Sequence, residues 1–163
     1  MDILVNILKG LIEYEGTAQQ IPQFSEPVVA IKELNVEEIL DTPQAKPDIE
    51  LILKVKAELV ILSTRVIRTP IAQSMEKQTL TGWKVIIEGE LKQVIRYVAD
   101  EPCQSVHGAH FNVPFSTFIV LPPDFDETQC ITIEGYIEDM YAEQIGKRNI
   151  FKNITLLLVA NIS

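Results

Sequence analysis

Trp83-Lys84-Val85-Ile86-Ile87-Glu88-Gly89-Glu90-Leu91-Lys92-Gln93-Val94-Ile95-Arg96-Tyr97-Val98 is the stretch that decides the fold. In an extended chain successive side chains point to opposite faces. Trp83, Val85, Ile87, Leu91, Ile95 and Tyr97 therefore share one face, with Lys84, Glu88, Glu90, Lys92 and Arg96 on the other. Strict alternation over so long a run predicts a half-buried strand. Gly89 interrupts the apolar row, and a glycine inside a strand pattern predicts a bulge or a bend.

The same period recurs on both sides. In residues 54–62, Val55, Ala57, Leu59 and Ile61 oppose Lys54, Lys56 and Glu58. Phe111, Val113, Phe115, Thr117 and Ile119 form another alternating face, and Pro114 demotes that segment to an edge or bulged strand. Ile131, Ile133 and Ile137 repeat the pattern opposite Thr132, Glu134 and Glu138. Residues 150–162 are nearly continuously apolar, as in a strand covered on both faces. Helical signals are confined to one short turn at residues 47–52, with Pro47 at its entrance, and another at residues 35–40. Residues 3–14 fit both periods and are read as strand. The expected fold is all-β, an antiparallel β-sandwich or distorted barrel with one or two short helical turns. With 163 residues and no low-complexity linker, it forms a single domain. Residues 1–20 are an N-terminal arm and residues 121–163 the closing strands.

Composition narrows the function. Hydrophobic residues make up 47% and the mean hydropathy is +0.14, so apolar surface is buried on two faces or covered by a partner. A net charge of −9 without Lys/Arg clusters argues against nucleic acid and against anionic membrane surfaces. No apolar run reaches the roughly 20 residues of a spanning helix. The start, Met-Asp-Ile-Leu-Val-Asn-Ile-Leu, lacks the basic region of a signal peptide, which implies synthesis in the cytoplasm without export.

Candidate chemistry is sparse. Cys103 and Cys130 have neither zinc nor redox-motif spacing, and are reduced thiols or partners in one disulfide, within or between chains. His107 and His110 are three apart and would point to opposite faces of a strand, so they do not share a metal. Ser105-Val106-His107 is a chance neighbourhood, because a catalytic triad is spatial and not sequential. The pairs Glu13/Glu15, Glu37/Glu38 and Glu138/Asp139 read as solvated faces. Residues 124–127 lack the glycine and downstream glutamate of a calcium loop, and the seven glycines form no phosphate-binding motif. No catalytic, cofactor-binding or metal residue is assigned, and the chain is not expected to be an enzyme.

One ordered set of motifs is more specific. Lys46-Pro47-Asp48-Ile49-Glu50 is followed by Val66-Ile67-Arg68-Thr69-Pro70 and Leu80-Thr81-Gly82-Trp83-Lys84-Val85. Glu88-Gly89, Ile95-Arg96-Tyr97-Val98-Ala99, Ser105-Val106-His107 and Pro114-Phe115-Ser116-Thr117-Phe118-Ile119 complete it. This order resembles the SPOCS domain, found in spore-coat, exosporium and spore-morphogenesis proteins of anaerobic spore-forming bacteria. The resemblance spans residues 39–118 directly, within a core of residues 21–120. It implies a spore-surface location and protein–protein interaction, with no catalytic residues to carry over. Some relatives carry a peptidoglycan-binding LysM module, for which this chain has no room.

The expected role is therefore a self-assembling structural subunit of a spore surface layer or appendage, pairing with copies of itself and with other spore-coat proteins. The alternative is a binding module that docks a morphogenesis partner or a glycan through a patch around Trp83 and Tyr97. Two further expectations attach to this role. Cys103 and Cys130 are candidates for cross-links between subunits, because a spore surface becomes oxidising after mother-cell lysis. Ile3, Leu4, Val5, Ile7 and Leu8 are the candidate assembly arm, apolar on both sides and suited to adding a strand to a neighbour's sheet.

Overall fold

The computed structural model describes residues 11–21 and 30–163. Among the described residues seven strands follow one another: β1 Glu13–Glu15, β2 Ala30–Asp41, β3 Ile49–Gln73, β4 Thr79–Ala99, β5 Val106–Val120, β6 Ile131–Gln144 and β7 Asn149–Ile162. They form two sheets, one ordered β1-β3-β4-β5 and the other β2-β7-β6, packed as a sandwich. All pairings are antiparallel except β1 with β3. The sheets do not close into a barrel.

β4 behaves as its alternation predicts. Val85, Ile87, Leu91, Ile95 and Tyr97 are fully buried, whereas Glu88, Lys92 and Arg96 are exposed. β4 pairs with β5 in one unbroken register from Lys84 opposite Val120 to Val98 opposite Val106. Pro114 sits in β5, an outer strand of its sheet, where a missing N–H is tolerated. The bulge expected near Gly89 falls on the facing strand: Ile61 pairs with Gly89 and Ser63 with Glu88, leaving Leu62 as the extra residue.

Among the described residues no helix is found. Residues 35–40 belong to β2, whose Leu34, Val36, Glu38 and Leu40 take every second position toward the interior. Residues 49–52 open β3 instead of a helical turn. Ile49, Ile52 and Val55 are all buried despite a spacing of three, because register shifts between Ile49/Leu51 and Ile52/Lys54 each insert a residue. A pair of bulges thus mimics helical periodicity.

β7 is the central strand of its sheet. It alternates at first and is then buried without a break over residues 156–160, which agrees with a strand covered on both faces. The interior holds three apolar clusters in sequence along the long axis. Ile49, Ile95, Tyr97 and Ile150 mark one end. Leu91, Ile154 and Leu156 fill the middle. Val85, Ile119, Phe125 and Leu158 mark the other end.

Candidate functional site

β1 shields β3 over three residues only, Glu13 to Glu15 opposite Lys54 to Lys56, where the Lys54 ammonium lies 2.6 Å from Glu15 and 3.7 Å from Glu13. These exposed carboxylates hold the Lys54 amine above its ordinary range, chiefly through the Glu15 hydrogen bond. The chain then leaves the sheet at Gly16. Its φ of +116° is a left-handed conformation, and a β-carbon there would stand 1.9 Å from the carbonyl oxygen of Ala57. Two residues later the Ala18 N–H donates to the carbonyl of Ile137 in the opposite sheet.

From residue 58 to residue 73, among the described residues, β3 is therefore hydrogen-bonded on the β4 side alone. Leu62, Val66 and Ile71 are exposed along this stretch, and Met75 is fully exposed at the hairpin tip. β5 ends at Val120, opposite Lys84, so the tip of the β3–β4 hairpin continues as a two-stranded ribbon beyond it. An open edge carrying apolar side chains is a template for another strand. Pro70 and the bulges at Leu62 and between Arg68 and Ile71 limit the usable segment to short runs on either side of Leu62.

The residues singled out from sequence are dispersed. Cys103 lies in the β4–β5 turn and Cys130 in the β5–β6 loop, both exposed and unbonded. β5, 15 residues long, runs between them, and at about 3.3 Å per residue this places them at opposite ends of the sandwich. A bond within one chain is thereby excluded. The arm Ile3, Leu4, Val5, Ile7 and Leu8 lies outside the described residues. Trp83 and Tyr97 form no common patch. Tyr97 is fully buried and its hydroxyl donates to the Pro47 carbonyl at 2.8 Å. Trp83 packs edge-on against Phe125 at the far end of β4, beneath the Arg68 guanidinium.

His107 stacks on Tyr97, while His110, in the same strand, is exposed. Ser105 Oγ lies 2.9 Å from His107 Nε2, so the two neighbours do touch. However, the nearby carboxylate of Glu101 accepts from Ser105 at 3.2 Å rather than orienting the far ring nitrogen, so the arrangement is not a relay. No group of three metal-ligating side chains occurs among the described residues.

Two acidic features differ from the solvated faces expected. Glu138 on β6 meets Glu33 on β2 across β7, which lies between the two strands. Burial first, and the Glu33 charge second, hold its carboxyl above the usual range. Glu38 turns inward. It stands directly opposite Lys152 in the β2–β7 pair, with Oε1 3.7 Å from Lys152 Nζ, and the same oxygen accepts from Gln93 Nε2 at 2.9 Å. Lys152 and Gln93 are both fully buried. Ala142 beside Lys152 and Ala57 beside Gln93 make room for this polar layer between the first and second apolar clusters. Desolvation lowers the Lys152 amine to about 8, although Glu38 opposes the shift. Sequence reading missed these residues. The signal was their phase: Glu38 and Lys152 occupy inward positions of otherwise apolar rows.

The molecule is thus a two-sheet β-sandwich whose β3 edge is open among the described residues. The family model described as SipL, SPOCS domain matches residues 48–145, more than half of the chain. The chain belongs to the SPOCS domain family, and with it to the sporulation-associated proteins. The match runs from the entrance of β3 to the end of β6, beginning later and ending further on than the motifs at residues 39–118. No curated protein and no solved structure matches the chain. No helix among the described residues is long and apolar enough to cross a membrane.

Proposed function

We propose that this chain is a non-enzymatic structural subunit that assembles with copies of itself into a layer or appendage of the bacterial spore surface, as part of a coat or exosporium. The edge of β3, open among the described residues, carries the reading. Its N–H and C=O groups, with Leu62 and Val66 beside them, gain hydrogen bonds and bury apolar surface when a second strand is added. Charge suits a second copy as the donor: Glu58 lies toward one end of the segment and Arg65 toward the other, so antiparallel copies set opposite charges against each other. The arm at Ile3 to Leu8 is a second candidate donor.

Membership in the SPOCS family supports the sporulation setting. Other spore-coat proteins are the further partners in this role. The rival role, a module docking a morphogenesis partner or a glycan, has lost the surface expected for it, since Tyr97 is buried and Trp83 is remote from it. Negative-stain electron microscopy of the purified chain across a concentration series tests the proposal. Sheets or filaments that grow with concentration support it. Isolated particles at every concentration overturn it in favour of the docking module.

A further inference from the structure

We propose that Lys152 and Gln93 are the two ends of a self-forming isopeptide bond that ties the two sheets together, with Glu38 as its proton shuttle. The three side chains come from β7, β4 and β2, on inward positions of both sheets. What distinguishes them from an ordinary buried ion pair is the sharing of one atom. Glu38 Oε1 contacts Lys152 Nζ at 3.7 Å and Gln93 Nε2 at 2.9 Å. The nucleophilic nitrogen must lose a proton and the leaving nitrogen must gain one, and one carboxylate oxygen is hydrogen-bonded to the second and ion-paired with the first.

The unlinked state is also poorly satisfied. Lys152 Nζ has no hydrogen-bond partner, and neither has Gln93 Oε1. Leaving a buried ammonium and a buried carbonyl without hydrogen bonds is unfavourable, even with the Glu38 charge nearby. Burial supplies the reactive form as well, because an amine lowered to about 8 is deprotonated far more readily than an exposed lysine.

The reaction balances without any co-reactant. The Lys152 ammonium gives a proton to Glu38, and the free amine attacks Cδ of Gln93. The Nζ–Cδ bond forms and the carbonyl π pair moves onto Oε1. Collapse of that intermediate breaks the Cδ–Nε2 bond as Glu38 returns the proton to Nε2. Ammonia leaves, taking up the remaining proton as ammonium. A buried cation is replaced by a neutral amide whose N–H lies beside Glu38. Holding nucleophile, amide and shuttle in one buried layer is the means by which such a reaction proceeds without an enzyme.

Intact mass spectrometry of the purified full-length chain under denaturing conditions tests this directly. The wild-type chain is expected to be lighter than its sequence mass by one ammonia. A protease digest is expected to yield a branched peptide joining the segments that carry Gln93 and Lys152. Lys152→Met and Glu38→Gln should each restore the full mass and abolish the branched peptide. A folded wild-type chain at full sequence mass without a branched peptide overturns the proposal, as does hydrolysis of Gln93 to glutamate in its place. Because the wild-type spectrum decides alone, the result stands even if a variant folds poorly. It is also independent of whether the chain assembles.

Discussion

Phe115 stands directly across the β4–β5 pair from Gly89, and its ring occupies the space that a β-carbon at Gly89 would need. That atom would lie 2.3 Å from Phe115 Cζ and 3.0 Å from the Val60 carbonyl oxygen, so ring and backbone hemmed by β3 leave room for hydrogen alone. Gly89→Ala is expected to destabilise the chain by about 1–3 kcal/mol through overpacking. In the Phe115→Leu background the same substitution should cost less, a coupling that urea titration of the double-mutant cycle measures. Equal costs in both backgrounds would show that the ring does not set the glycine requirement.

Leu91 is fully buried in the middle cluster, against Ile154 and Leu156 of the opposite sheet. Leu91→Ala should destabilise by about 2–5 kcal/mol, the range for large-to-small core changes. Lys92→Ala, one residue on and exposed, should stay within about 0.5 kcal/mol. Equal effects in chemical denaturation would contradict the facing of β4.

The Glu138–Glu33 pair gives a pH dependence whose sign follows from its cause. Burial and the Glu33 charge raise the folded-state value of Glu138 above the ordinary 4.5. The folded chain thus binds more protons in that window, and its stability falls as pH rises through the raised value. Glu138→Gln removes the repulsion. Its melting temperature should exceed that of the wild type at pH 7, and the gap should shrink as pH is lowered toward 4.5. A gap independent of pH would assign the effect to packing instead.

Cys103 and Cys130 are exposed at opposite ends of one chain, so oxidation can join chains but not staple one. Non-reducing gels of assembled, oxidised protein are expected to show a ladder that collapses with reductant. Cys103→Ser or Cys130→Ser alone should truncate it, because a chain with one thiol links to one neighbour only. A single monomer band in both lanes would remove the cysteines from the assembly.

The sandwich was legible where strands alternate cleanly, as in β4, and where a proline marks an outer strand, as Pro114 does in β5. β3 was harder to read because its bulges space Ile49, Ile52 and Val55 like a helix. The site was less legible than the fold. An open edge is a long-range property: it arises because Gly16 turns β1 away after three residues, which no local pattern announces. Glu38 and Lys152 were hidden by their charge. A residue's phase within an alternating row, here inward, outweighed the usual preference of Glu and Lys for water. Tyr97 illustrates the converse, since its place in the inward row was recognised but also makes it unfit for a surface patch.

Sedimentation velocity across a concentration series tests assembly through the β3 edge. The wild-type chain is compared with a double variant, Leu62→Lys and Val66→Lys, at two exposed positions on that edge. Inward or edge-placed lysines are a natural device against strand addition, and neither site lies in the buried core. The wild type should shift to larger species as concentration rises, while the variant remains monomeric with unchanged circular dichroism. A wild type that sediments as a monomer throughout, or a variant that assembles as readily as the wild type, would contradict it.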